Sequence, residues 1–238
     1  MSRNSPQAGR ILSRREVLTW LGATGVAVLS GYAPRRAAAA SPSSCIVSPA
    51  QTEGPFFVDT QLNRTDVRSD PTDGSVSAGS PLALNLALWS VSAAGCAPVA
   101  GAMVDIWQCD ALGIYSGTGD AGGAAKKFLR GYQVSDNSGR VAFTTIYPGG
   151  YEGRAVHIHF KVRGRNPSGR GYEFTSQFYF DDAITDRVHA RQPYAGRKRA
   201  LRNDRDFAYR NGGSRLLLAL TEARAGHTGS FDIGLSSL

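Results

Sequence analysis

Two histidines and two tyrosines carry the chemistry this sequence can do. His157 and His159 stand at i and i+2 in a stretch where Val156, Ile158, Phe160 and Val162 alternate with His157, His159 and Lys161. That period of two predicts a half-buried strand. It sends both imidazoles to one face, within reach of a single metal ion. Just upstream, Pro148-Gly149-Gly150 demands a tight turn, which presents Tyr151 and, as a second candidate, Tyr147 toward that strand. Tyr115, in Gly113-Ile114-Tyr115, offers a further phenol, so Tyr115, Tyr151, His157 and His159 are the four candidate metal ligands. Phenolate is a hard anionic donor that suits Fe(III) better than Zn(II) or Cu(II), for which His/Cys or three-His sets are commoner. A trivalent ion at bonding distance strips the proton from a phenol whose free pKa is about 10. Two phenolates and a hydroxide balance its charge, which lets such a centre be buried. The plainer alternative is an amphipathic surface strand with packing tyrosines.

Short strands with turns between them must position these residues. Leu82, Leu84, Leu86 and Leu88 alternate with Ala83, Asn85, Ala87 and Trp89, and further strands are predicted over 102–109, 130–134, 139–146, 154–163, 174–180, 216–220 and 230–235. Residues 92–100 read as a connection, 66–80 as a polar surface loop and 119–125 as a flexible glycine-rich loop. Asp181 is placed to cap a short helix running to about residue 190, and a second helix is expected within 195–207. The pattern predicts an all-β fold, a single β-sandwich over residues 41–238 with mostly antiparallel strands and short peripheral helices.

The first forty residues read as a leader. Arg14-Arg15 precede a short apolar run, and Ala37-Ala38-Ala39-Ala40 follows as a cleavage region, the pattern of a twin-arginine export signal. The run is short for a bilayer span, so no stable membrane anchor is expected. The predicted location is periplasmic or extracellular, reached through the twin-arginine machinery. This segment holds six arginines against Glu16, so the net charge of +8 falls to about +3 once it is removed. Eight basic residues between Arg187 and Arg210 are interleaved with Asp186, Asp204 and Asp206, which reads as a solvated face with internal ion pairs. No nucleic-acid partner is expected. Three cysteines in an oxidising compartment predict one disulfide and one odd thiol. Cys96 and Cys109 sit too far apart along a strand to pair, which leaves Cys45 as the common partner of one or the other.

Five motifs in order, Glu53-Gly54-Pro55-Phe56, Asp105-Ile106-Trp107-Gln108, Gly113-Ile114-Tyr115, Pro148-Gly149-Gly150-Tyr151 and Arg154-Ala155-Val156-His157-Ile158-His159, resemble the intradiol ring-cleavage dioxygenases. The resemblance runs from about Thr52 to Tyr179. It implies a β-sandwich with one non-haem Fe(III) per chain, a catechol-type substrate and dioxygen. By the same resemblance Tyr115 is the equatorial tyrosinate, Tyr151 the axial tyrosinate that leaves when substrate binds, and His157 and His159 the imidazole ligands. Arg154 matches the arginine that stabilises charge developing on the ring, and Gln177 matches a glutamine near the substrate.

The implied reaction activates the catechol by deprotonation, lets dioxygen attack a ring carbon beside an oxygen, and ends in a cis,cis-muconate-type diacid. The link between Tyr151 and His157 is shorter than in protocatechuate enzymes, so the pocket wall there must differ. A helical dimerisation segment such as catechol dioxygenases carry is not expected, and the oligomeric state stays open. Two other readings compete: a non-catalytic secreted β-sandwich binding module, and a zinc hydrolase using the His-x-His strand. The second lacks a third nitrogen or sulfur ligand, since His189 and His227 read as surface residues.

Overall fold

Alternating leucines dictate the longest strand. In β1 (Pro81–Ser92), Leu82, Leu84, Leu86 and Leu88 turn inward and are all buried. The computed structural model describes residues 45–119, 123–197 and 201–236, which belong to one compact unit, Ala39–Leu238. The predicted leader lies outside the described residues. After β1 come β2 (Gly95–Pro98), β3 (Met103–Trp107), β4 (Arg130–Val134), β5 (Arg140–Ile146), β6 (His157–Arg165) and β7 (Gly171–Tyr179). Then follow α1 (Asp182–His189), α2 (Phe207–Arg210), β8 (Ala219–Ala223) and β9 (Gly226–Ser236), with single 3-10 turns at Asn203–Arg205 and Gly213–Leu216.

The strands form two sheets. In one, β5 and β2 share an edge of β1, and β9 and β8 continue on its other side. The other runs β4-β3-β6-β7 and is antiparallel throughout. The architecture is the predicted all-β sandwich with few, short helices. One pairing departs from antiparallel: β1 and β9 run parallel, from Leu82 opposite His227 to Val91 opposite Ser236. The leucines of β1 meet Phe143, Ile233 and Leu235 of their own sheet and Val104, Ile106, Ile158, Phe160, Val162 and Phe178 of the other. Burying that set relative to the unfolded chain is the main favourable term, at about 1.5–3 kcal/mol per large side chain.

The outer face of the four-stranded sheet positions the functional residues. Register sets Arg130, Trp107, His159 and Gln177 in one row across all four strands, with His157 beside Tyr179 in the next. This face is also buried. Residues 45–59 cross it as a strap, held where Gln51 N–H donates to Thr175 O at 3.0 Å and Arg130 donates to Phe56 O at 2.6 Å. Glu53 pairs with Lys161, and Asp59 with Arg163 at 3.0 Å. The alternation in β6 therefore predicted the facing of its side chains correctly but their exposure wrongly: His157, His159 and Lys161 are at most 5% exposed.

Other differences are local. The connection over 92–100 is a hairpin, because Gly95 at φ +118° turns the chain back onto β1. No helix spans the described part of 195–207: the α-helix starts at Phe207, where the Asp206 carboxylate accepts the Ala208 and Tyr209 amides. The helix predicted after Asp181 forms, with Asp181 Oδ1 accepting Ala183 N–H at 2.8 Å and Ile184 N–H at 3.1 Å. Cys45 pairs with Cys96, and Cys109 is free and buried. Among the described residues, no helix is long and apolar enough to cross a membrane.

Candidate metal centre

Two loops bring the phenols to the histidine row. The first leaves β3 and carries Tyr115. It is folded by Asp110, whose Oδ1 accepts Leu112 N–H at 2.8 Å and Ile114 N–H at 2.9 Å. The second, 148–153, carries Tyr151 and is pinned to the first by Gly149 N–H donating to Asp110 O at 3.0 Å. Gly149 is required there because a Cβ would stand 2.5 Å from the carbonyl oxygens of Asp110 and Ala111. Gly113 adopts φ +86°, which favours glycine.

The four side chains converge. His157 Nε2 lies 3.0 Å from His159 Nε2 and 3.2 Å from Tyr151 Oη. His157 Nδ1–H donates to Ala155 O at 2.6 Å, which fixes the tautomer and leaves Nε2 as a lone pair aimed at the cluster. Tyr115 stacks on Phe56 at 4.3 Å, with its ring 5.6 Å from that of Tyr151. Its hydroxyl is buried and has no hydrogen-bond partner. Trp107 stacks on His159 at 4.8 Å, with Phe57 beyond it at 4.9 Å, so an aromatic wall closes the inner side.

The electrostatics favour neutral ligands until a cation arrives. Burial and the nearby Arg154 charge push His157 down to about 3, and burial with the neighbouring His157 pushes His159 well below the usual imidazole range. Burial raises Tyr151 to about 12 against the pull of Arg154, and raises Tyr115 well above the ordinary phenol value. His157 Nε2 thus has His159 Nε2 and the Tyr151 hydroxyl within 3.2 Å, with the Tyr115 ring beside Tyr151 and no carboxylate among the four. Donors about 2.1 Å from one ion and at right angles stand about 3.0 Å apart, matching the spacing of the two Nε2 atoms. The orphaned Tyr115 hydroxyl and the mixed oxygen–nitrogen set suit a hard trivalent cation.

Arg154 stands beside this cluster. Its Nε–H donates to Asp206 Oδ2 at 2.8 Å and its NH2 group to Gln177 Oε1 at 2.5 Å. Gln177 also donates through Nε2 to Thr52 O at 2.8 Å and is fully buried. A cavity of about 470 Å³ opens beside Tyr151, lined by Leu112, Gly150, Gly153, Arg197 and Leu201 among others. Neither Gln177 nor Arg154 is among the residues that line it.

Tyr147 is not part of the cluster. It is fully buried in the main core, and its hydroxyl meets Thr185 Oγ1 at 2.8 Å. His189 and His227 are half-buried rather than on the surface: His189 contacts Pro148 O at 2.9 Å, and the His227 ring lies 5.9 Å from Tyr147. Asp206 and Arg130 escaped the sequence reading. Arg130 was visible only as a strand residue, yet it is 1% exposed and its guanidinium carbon sits 5.9 Å from the Tyr115 ring centroid.

Residues 52–190 match a family model described as dioxygenase. A chlorocatechol 1,2-dioxygenase from Pseudomonas sp. (strain P51) is 32% identical over 105 residues, 36% of this chain and 39% of that relative. A catechol 1,2-dioxygenase from Candida albicans is 35% identical over 75 residues, 30% of this chain and 24% of that relative. The chain thus matches well under half the length of these curated relatives. An intradiol ring-cleavage dioxygenase from Tetranychus urticae superposes with a TM-score of 0.71 at 29% identity, covering 82% of this chain and 96% of that one.

Proposed function

This chain belongs to the intradiol ring-cleavage dioxygenase family, and from that premise we propose that it is a non-haem Fe(III) dioxygenase. It opens a catechol-type ring between the two hydroxyl-bearing carbons and yields a cis,cis-muconate-type diacid. The convergence of His157 Nε2, His159 Nε2 and Tyr151 Oη beside the unpartnered Tyr115 hydroxyl carries the reading. These four residues hold the ferric ion. Bound there, ferric iron supplies the Lewis acidity that lets a catechol ionise and the redox partner that makes its ring reactive toward dioxygen.

The residues of the chain do the rest. Tyr151 is the one half-buried member of the four and borders the cavity, so it is the phenol placed to yield to substrate. With a pKa of about 12 in the cation-free site, its released oxygen is basic enough to take a catechol proton at Oη. Tyr115 is wedged against Phe56 and stays. Arg154 keeps a fixed cation next to the reacting ring, where it stabilises negative charge as that charge develops. Phe56, Phe57 and Trp107 keep water from the inner side.

We further propose that the protein is exported by the twin-arginine route and works in the periplasm or outside the cell. The Arg14-Arg15 leader motif supports this, and the Cys45–Cys96 disulfide suits an oxidising compartment. The zinc-hydrolase alternative gains nothing, since neither His189 nor His227 joins the cluster.

Incubation of the iron-loaded protein with catechol under ¹⁸O-labelled dioxygen tests the reaction. The expected result is oxygen uptake and a ring-opened diacid carrying both labelled atoms. A semialdehyde product from cleavage outside the diol, or no uptake with any substituted catechol, would refute it.

A further inference from the structure

Behind Arg154 lies a buried carboxylate that the reaction as derived above does not use. Asp206 is 0% exposed and accepts four hydrogen bonds. Oδ1 takes Ala208 N–H at 2.7 Å and Tyr209 N–H at 2.9 Å, the capping bonds of α2. Oδ2 takes Arg154 Nε–H at 2.8 Å and Ala155 N–H at 2.7 Å. The two oxygens therefore serve different purposes, one toward a helix and one toward the candidate centre.

The Oδ2 side reaches two residues of that centre at once. It fixes the plane of the Arg154 guanidinium, and Gln177 Oε1 takes the NH2 group, which leaves NH1 as the nitrogen outside these bonds. It also anchors the Ala155 N–H, one peptide group before the Ala155 carbonyl that accepts His157 Nδ1–H and so sets the direction of Nε2. Gln177 is braced in turn, since Tyr179 Oη–H donates to both Gln51 Oε1 at 2.8 Å and Gln177 Oε1 at 3.2 Å. A cap for a four-residue helix needs only Oδ1. The bidentate use of the other oxygen is what capping leaves unexplained.

We propose that Asp206 is a positioning residue for ring cleavage, clamping Arg154 and the Ala155 peptide so that the guanidinium meets the reacting ring and the His157 imidazole keeps its aim. The inference rests on the ring-cleavage reading of the site. Asp206 touches neither substrate nor metal; it acts through Arg154 and through the Ala155 backbone. Asp206→Asn keeps the shape but turns one of the two oxygens into a donor, so it can serve the α2 amides or the Arg154 and Ala155 donors but not both pairs, and in either orientation it removes the negative charge opposite the guanidinium.

The test is a cycle of four iron-loaded proteins: parent, Arg154→Gln, Asp206→Asn and the double variant. With catechol, Asp206→Asn should lower kcat about 10- to 100-fold and move KM less than about 3-fold, as expected when a charged group is misplaced by a fraction of an ångström. In the Arg154→Gln background it should lower kcat by a clearly smaller factor, because the guanidinium it positions is already gone and only its hold on Ala155 remains. The same factor in both backgrounds, or an unchanged kcat alongside a lower melting temperature, would reduce Asp206 to a helix cap and overturn the proposal. Asp206→Glu, which keeps the charge and shifts it by a methylene, replaces Asp206→Asn in the cycle if the latter does not fold.

Nitrogen NMR of the metal-free protein gives a readout independent of turnover. The Arg154 Nε–H resonance should be sharp and slow to exchange in the parent and averaged in Asp206→Asn. An inactive parent with a locked Nε–H would strike the ring-cleavage reading and leave the coupling standing. An active parent whose Nε–H is indifferent to Asp206→Asn would overturn the coupling alone.

Discussion

At the scale of the residue, His159 and Tyr151 have separable duties. Tyr151 reaches the cluster from a loop, whereas His159 comes from the buried middle of the sheet and has Trp107 stacked on it. Tyr151→Phe should therefore retain iron and slow turnover by about 10²–10⁴-fold, the range for losing a general base. His159→Ala should lose most of the metal. Iron analysis alongside steady-state kinetics checks both, and full iron retention by the His159 variant would contradict the assignment. The meeting of His157, His159 and Tyr151 was legible in the sequence because strand periodicity fixes facing and a Pro-Gly-Gly turn must present its neighbour, whereas Tyr115 was marked only by its motif. Asp206 was not, because an aspartate in an arginine-rich stretch reads as a surface ion pair until the fold buries it. Tyr147 was ambiguous for a related reason: a turn presents both flanks, and only packing against Phe180 at 4.4 Å decides which flank enters the core.

At the scale of the element, the loops and the strap matter more than the strands. Gly149→Ala would drive a methyl into two carbonyl oxygens, so the loop carrying Tyr151 must move. The expected effect is a loss of about 1–3 kcal/mol in stability, typical of overpacking, with weakened iron retention that a chelator challenge measures. The strap is tied at its start by the Cys45–Cys96 bond, which closes a loop with a sequence separation of 51. Cys96→Ser should lower unfolding free energy by about 2–4 kcal/mol, read by urea titration, while a protein kept folded retains its iron site. Strand positions were largely readable from alternation. The burial of both faces of β6 was not, because no pattern within a strand reveals that a distant segment lies across it. The parallel β1–β9 pairing was equally hidden, since register between strands that far apart in sequence is set by the closed sandwich.

At the scale of the whole molecule, buried charge couples the site to global stability. Burial alone would raise the Asp206 carboxyl, but the Ala155 and Tyr209 amides and the Arg154 guanidinium outweigh it and hold the pKa below the usual range. The folded state thus binds this proton less readily than the unfolded chain, whose aspartates titrate near about 3.9. The stabilisation is complete above that value and is lost as the pH falls through the folded pKa. Asp206→Asn should be clearly less stable than the parent at neutral pH, and the gap should narrow below about pH 4. Urea midpoints at pH 7, 5, 4 and 3 measure this, and a constant gap would contradict it. The sandwich class was readable from the spacing of strands and turns. The basic stretch near α1 behaves as read in part: Arg202 pairs with Asp186 at 3.0 Å, but Arg187 reaches outside it to Glu222 at 3.8 Å and Asp206 is buried against Arg154.

Tyr115, Tyr151, His157 and His159 are the residues proposed to hold ferric iron. The visible absorption spectrum of the purified protein, taken with iron analysis and repeated after adding catechol under nitrogen, tests it most directly. Tyrosinate bound to Fe(III) gives a broad charge-transfer band and a red-brown colour. The account predicts that band, iron in a one-to-one ratio with the chain, and a shift on adding catechol as Tyr151 gives way. A folded protein that stays colourless after ferric reconstitution would contradict it.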